Sequence, residues 1–179
     1  MKTAFSTYLP AGLLLLLSLS AGSESLPPGV MRIDNLPAPA LQLDNLDGEA
    51  YDLAKTHGHW RFVHFWASWC GPCRREMPGI ERMISALGDS ELEIVLINTA
   101  ETEDEVFMFL GIVAPELVPL MDSDGKVTEV WQPRGLPATY LVDPEGNIQY
   151  QALGGREWEK PAYLTFLRGL DQVKQSIRP

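Results

Sequence analysis

The chain has 179 residues, 45% of them apolar and 21% charged, which suits one globular domain with its own core and excludes a disordered or fibrous protein. Its formal net charge of -10, scattered rather than blocked, speaks for solubility and against binding to a phosphate backbone. Two cysteines, Cys70 and Cys73, are too few and too close for a stabilising framework. A bridge closing so small a loop restrains the unfolded chain very little, so the pair reads as chemistry.

In chain order, Lys2 supplies a positive start, Ala11 to Leu19 is an apolar stretch with an unbroken Leu13–Leu17 run, and small residues follow to Gly22. This is the layout of a secretory signal peptide over residues 1–22, with cleavage expected between Ser20 and Ser25. A membrane span takes about 20 apolar residues, so an uncleaved anchor is the lesser alternative. No cysteine stands near the cleavage region to accept a lipid. Proline and small residues from about Ser23 to Pro39 read as a tether, set at 23–36, which leaves 37–177 as the folded domain.

Leu41–Leu43 and Ala50–Leu53 flank the turn signal Asn45-Leu46-Asp47-Gly48 and predict an N-terminal β-hairpin. Arg61–Trp66, mostly β-branched and aromatic, suits a buried central strand. A helix follows from about Cys70 to Leu87, stopped by Gly88, with a kink expected at Pro78. Glu93–Asn98 is a second buried strand. Thr102 with Glu105 makes a capping box for a helix to about Val113. Val118–Met121 is a short strand candidate, and after the turn at Asp122–Gly125 a brief helix reaches Trp131. Ala138–Val142 and Ile148–Ala152 bracket Asp143–Asn147 as a second hairpin. Ala162, Tyr163, Phe166, Leu167, Leu170 and Val173 recur at helical spacing and close the chain as an amphipathic helix. The expected class is α/β, with no internal repeat or second domain.

Trp69-Cys70-Gly71-Pro72-Cys73 stands between a buried strand and a helix, where a C-x-x-C reads as a thioredoxin-like redox motif. Cys70 at the helix N-terminus meets unpaired N–H groups and the positive end of the dipole, which favour the thiolate. Cys73, one turn further in, is expected to face inward. That asymmetry assigns Cys70 the attack on a partner's disulfide and Cys73 the resolution of the mixed disulfide.

The segment Phe65 to Pro78 and the segment Gly135-Leu136-Pro137-Ala138-Thr139-Tyr140-Leu141-Val142-Asp143 together resemble the two signatures of the TlpA/ResA-like branch of thioredoxin-fold proteins. The likeness runs from about Pro37 to the last helix. It implies a thioredoxin-like fold, a central mixed sheet flanked by helices, with a strand-helix insertion over about Thr99 to Met121. It also implies bacterial export and thiol-disulfide exchange facing the periplasm or cell exterior, with the periplasm expected here, no cofactor, a client protein carrying thiols or a disulfide, and a membrane dithiol donor. Clients by analogy include apocytochrome c, in cytochrome c maturation, or the cysteines of a copper site. By the same resemblance Pro137 is a cis-proline beside the disulfide, the backbone of Leu136 can pair with a substrate strand, and Glu76 is a carboxyl near the buried thiol. Desolvation there is expected to raise its pKa. An exposed glutamate paired with nearby arginines is the plainer account of Glu76.

His64 departs from the family pattern, in which Asn, or Asp in thioredoxin itself, is usual six residues before the first cysteine. Strand alternation puts it on the face of Trp66, where it is either a proton relay or a satisfied core histidine. Trp69 and Trp66 read as a substrate platform and packing, Arg74 and Arg75 most simply as a solvated face, with support of the thiolate as the alternative. His57 and His59 tempt a metal reading, but two histidines in a turn are more often incidental. The leading expectation is a reductant, since Gly71-Pro72 matches reducing thioredoxins. A disulfide oxidant or isomerase is the first alternative. A copper carrier on this fold would use a wider cysteine spacing with a partnering histidine elsewhere, and that pattern is missing. A peroxidatic cysteine of the same superfamily would lie outside a C-x-x-C.

Overall fold

The computed structural model describes residues 25–56 and 58–175. The expected signal peptide and His57 lie outside these residues. Thirteen elements follow in order: β1 (Val30–Pro37), β2 (Gln42–Asp44), β3 (Ala50–Asp52), a 3-10 turn (Leu53–Lys55), β4 (Arg61–Trp66), α1 (Gly71–Leu87), β5 (Glu93–Thr99), α2 (Glu103–Val113), β6 (Leu120–Asp122), α3 (Lys126–Trp131), β7 (Ala138–Val142), β8 (Asn147–Leu153) and α4 (Pro161–Gln175).

All six residues of β4 are buried, the polar Arg61 and His64 along with the four apolar ones, as in a strand covered on both faces. It lies inside a six-stranded sheet of order β1-β8-β7-β4-β5-β6. β4 pairs in parallel with β5 and antiparallel with β7, so the sheet is mixed. Alternation along β4 divides the core. Phe62 and Trp66 face one layer, with Met77, Ile80 and Met83 of α1 and Leu167 and Leu170 of α4. Val63 and Phe65 face the other, with Leu41, Leu53 and Trp131 from the β2–β3 hairpin, the 3-10 turn and α3. Each large apolar side chain taken fully out of water contributes about 1.5–3 kcal/mol, so these two layers carry most of the fold.

The expected hairpins, both buried strands and the closing helix are present, and the capping box of Thr102 and Glu105 forms at the start of α2. α1 runs through Pro78 as one helix of 17 residues. The tether needs correction. Residues 30–37 are β1, an edge strand paired with β8, with Val30 opposite Ala152 and Pro37 opposite Asn147. Its register shifts between Arg32 and Leu36, where Asn35 takes a φ of 47°. The flanking prolines hid a strand that tolerates proline because it sits at the sheet edge.

Candidate active site

Cys70 ends the turn after β4 and is the N-cap of α1, with extended backbone at φ -80° and ψ 110°. Pro72 fits the first helical turn, where no N–H is needed. Cys70 and Cys73 are joined by a disulfide with their Cα atoms 5.3 Å apart. The Cys73 N–H points at Cys70 Sγ, 3.4 Å away, so a backbone donor stands ready for negative charge on that sulfur. Cys73 is fully buried, Cys70 keeps 7% of its surface, and Trp69 beside it is 65% exposed.

The Leu136–Pro137 peptide bond is cis, and the Leu136 carbonyl oxygen lies 3.5 Å from Cys70 Sγ. Gly155 lies against the motif from the other side; a Cβ there would meet the Pro72 carbonyl oxygen at 3.4 Å. Trp69, Cys70, Gly71, Pro72, Cys73, Leu136 and Pro137 are thus brought to one end of the sheet. The chain's lead-in joins them: Tyr163 donates its hydroxyl to Pro28 O at 2.9 Å, and Arg156 donates to Gly29 O at 2.9 Å. Pro28, Pro72, Arg75, Glu76, Arg156 and Tyr163 line one open groove.

Glu76, one turn beyond Cys73, shares its buried face of α1 and is 4% exposed. Its Oε1 accepts from the Arg156 backbone N–H at 3.0 Å and from Trp158 Nε1 at 2.5 Å. Burial outweighs those two bonds and pushes the carboxyl from 4.5 up to about 8. His64 is wholly buried, its Nδ1 2.9 Å from Thr139 Oγ1 and its ring stacked on Phe62 at 5.8 Å. Burial drives the imidazole from 6.5 down to about 3. His64 Nε2 and Glu76 Oε2 face each other at 3.8 Å, and neither has a hydrogen-bond partner among the described residues. The separation fits an ion pair, but desolvation pushes both groups toward their neutral forms, so the pair is uncharged at neutral pH. The exposed, ion-paired reading of Glu76 does not hold.

Sequence reasoning missed Trp158, Arg156, Thr139 and above all Glu101. Ala100 takes a left-handed φ of 56° at the end of β5, which turns the buried Glu101 back toward the motif. Glu101 accepts from the Ser68 N–H at 2.6 Å, from the Ser68 hydroxyl, and from Asn98 Nδ2 at 2.6 Å. From the outside Arg74 donates to Ser68 O at 3.0 Å while its guanidinium lies 4.7 Å over the Phe109 ring. Arg74 is therefore a strut for the cysteine loop as well as a surface charge. His59 lies 3.8 Å from Glu91 at the surface, and no group of three or more His, Cys, Asp or Glu among the described residues could hold a metal ion. No helix among them is long and apolar enough to cross a membrane.

The AhpC/TSA family model matches residues 35–151. The chain is 29% identical over 101 residues to the thiol-disulfide oxidoreductase ResA of Bacillus subtilis (strain 168), covering 56% of each chain. It is 35% identical over 102 residues to the thiol:disulfide interchange protein CycY of Rhizobium leguminosarum bv. viciae, covering 56% of this chain and 53% of that one. The chain thus spans just over half the length of these relatives. The thioredoxin domain of a thiol-disulfide oxidoreductase from Bacteroides vulgatus superposes with a TM-score of 0.64 at 25% identity, covering 77% of this chain and 99% of that one. The fold is thioredoxin-like, with a mixed sheet between helices.

Proposed function

The chain belongs to the AhpC/TSA family, and from that membership we propose an exported thiol-disulfide oxidoreductase that reduces disulfides in client proteins. The observation that carries the reading is the difference between the two sulfurs: Cys70 at the rim under a helix N-terminus, Cys73 sealed beneath it. The Cys70 thiolate attacks one sulfur of a client disulfide and expels the other as a client thiolate. Cys73 then attacks the Cys70 sulfur, releases the second client thiolate and leaves the Cys70–Cys73 disulfide. One client disulfide becomes two thiols as one dithiol becomes a disulfide, and no cofactor enters.

Cys73 must lose a proton to attack from a fully buried position. Glu76, on the same helix face, takes that proton and holds it in the oxidised form, where its carboxyl is neutral. On recharging by a membrane dithiol donor it returns the proton to the departing Cys73 thiolate. His64 fixes the empty side of the carboxyl: with Nδ1–H on Thr139, Nε2 is left to accept from Oε2–H as the pair closes from 3.8 Å. Trp69 offers an exposed face and Leu136 a backbone carbonyl to the client. The apolar leader of residues 11–19 supports export to the periplasm, where cytochrome c maturation and copper-site assembly both need reduced cysteines.

The reduction potential of the Cys70–Cys73 couple, equilibrated against defined thiol buffers, tests the direction. A value near about -230 mV or lower supports a reductant. A value near about -120 mV makes the protein an oxidant and sinks the proposal.

A further inference from the structure

We propose that the outer face of α2 is a docking surface for a cationic, amphipathic segment of the client protein; the client part rests on the oxidoreductase reading above. The inner face of α2 already fills the core with Val106, Phe109 and Leu110. Its outer face nonetheless presents Phe107, Met108 and Ile112, exposed by 72%, 70% and 85%, with Val118 at 48% just beyond the helix. At 100° per residue these helix positions fall on one continuous stripe with Gly111 and Asp104. A soluble domain rarely gathers so many large apolar side chains on one helix without a partner. Beside the stripe runs an open cleft of about 410 Å³, floored by Leu46, Leu110 and Leu117 and walled by Phe107 and Val118.

Charge identifies the occupant. Residues 83–125 contain no lysine, arginine or histidine. Asp47, Glu103 and Asp104 rim the cleft itself, and all three residues of the first turn of α2 are acidic. An apolar floor with an anionic rim fits a segment that alternates apolar and basic residues, laid in the groove as an amphipathic strand or helix. A second copy joined face to face would set acid against acid. An anionic membrane would be repelled in the same way.

The face is also continuous with the cysteines. Glu101, two residues before α2, holds Ser68, and Phe109 packs on Trp66 at 5.8 Å while carrying Arg74. A client whose disulfide sits at Cys70 can therefore run on over α2, which makes its grip independent of the exchange chemistry.

The test uses the exported chain and three probes: a short disulfide-looped peptide, the same loop extended by an alternating leucine–lysine tail of 11 residues, the length of α2, and that tail with glutamate for lysine. Binding to the oxidised protein is read by fluorescence anisotropy, and reduction of the loop by the reduced protein is read as kcat and KM. The lysine tail is expected to lower KM about tenfold with kcat unchanged, and the gain should shrink as salt rises. Phe107→Ser with Ile112→Ser should abolish the gain and the binding, while reduction of the bare loop stays as in the parent chain. Equal binding of the glutamate tail, or binding that survives the double substitution, overturns the surface. Self-association or anionic-vesicle binding lost in the double variant, without binding of the lysine tail, assigns the face to another occupant and overturns it as well. Binding of the lysine tail without reduction of any loop keeps the surface and overturns the oxidoreductase reading instead.

Discussion

The substitution Glu76→Gln removes a proton that folding has moved. In the unfolded chain the carboxyl titrates near its ordinary 4.5, and burial lifts it to about 8 in the folded protein. Over that interval the folded chain holds a proton the unfolded chain has released, so rising pH favours unfolding. His64 works in the opposite sense: between about 3 and 6.5 the unfolded chain holds a proton that the fold excludes. From 4.5 to 6.5 each state carries one proton, on Glu76 when folded and on His64 when unfolded, and the two effects cancel. Above 6.5 Glu76 acts alone, costing about 1.4 kcal/mol per pH unit until about pH 8, or about 2 kcal/mol in all. The amide that replaces the carboxyl keeps an oxygen for Arg156 N–H and Trp158 Nε1 and never ionises. Urea unfolding of both oxidised proteins, followed by tryptophan fluorescence from about pH 5.5 to 8.5, should show the variant gaining about 2 kcal/mol on the parent above about pH 6.5. A difference that stays flat from about pH 6.5 to about 8.5 would refute the neutral, buried carboxyl.

Cys73→Ser should accumulate clients as stable mixed disulfides on Cys70, seen on non-reducing gels, while Cys70→Ser accumulates none; ordinary turnover by Cys73→Ser would reverse the assigned roles. Glu101→Ala strands the donors of the half-buried Ser68 and the buried Asn98, at about 1–3 kcal/mol each. It should lower unfolding stability by about 2–4 kcal/mol and slow exchange with a small disulfide about tenfold in protein that is still folded. An unchanged exchange rate in the folded variant would leave Glu101 a purely structural group.

What could be read from the chain was whatever repeats or stands close in sequence. Arg61–Trp66 has the length and composition of a covered strand, Thr102 and Glu105 meet within one helical turn, and Cys73 and Glu76 share one helix face by spacing alone. The groups that tune the site come from far along the chain. Trp158 and Arg156 reach Glu76 across 82 and 80 residues, and Glu101 reaches Ser68 across 33, through a left-handed Ala100 that no local pattern announces. β1 was missed for a different reason: a proline-flanked edge strand is specified by its partner β8 rather than by its own alternation. Likewise the apolar content of α2 was legible, but only packing decides that Phe109 turns inward and Phe107 outward.

The hydrogen bonds from Tyr163 to Pro28 and from Arg156 to Gly29 fix where the polypeptide enters the domain, and that doorway opens on the groove lined by Pro72 and Glu76. At no more than about 3.6 Å per residue, the few residues between the expected cleavage region and Pro28 reach roughly 20 Å. Anything joined to the chain at that end, whether an uncleaved leader or a fusion partner, would therefore hang within a short leash of the cysteines. Such a leash would hold the working face toward its point of attachment, and a bulky N-terminal addition would crowd incoming clients before it disturbed the fold.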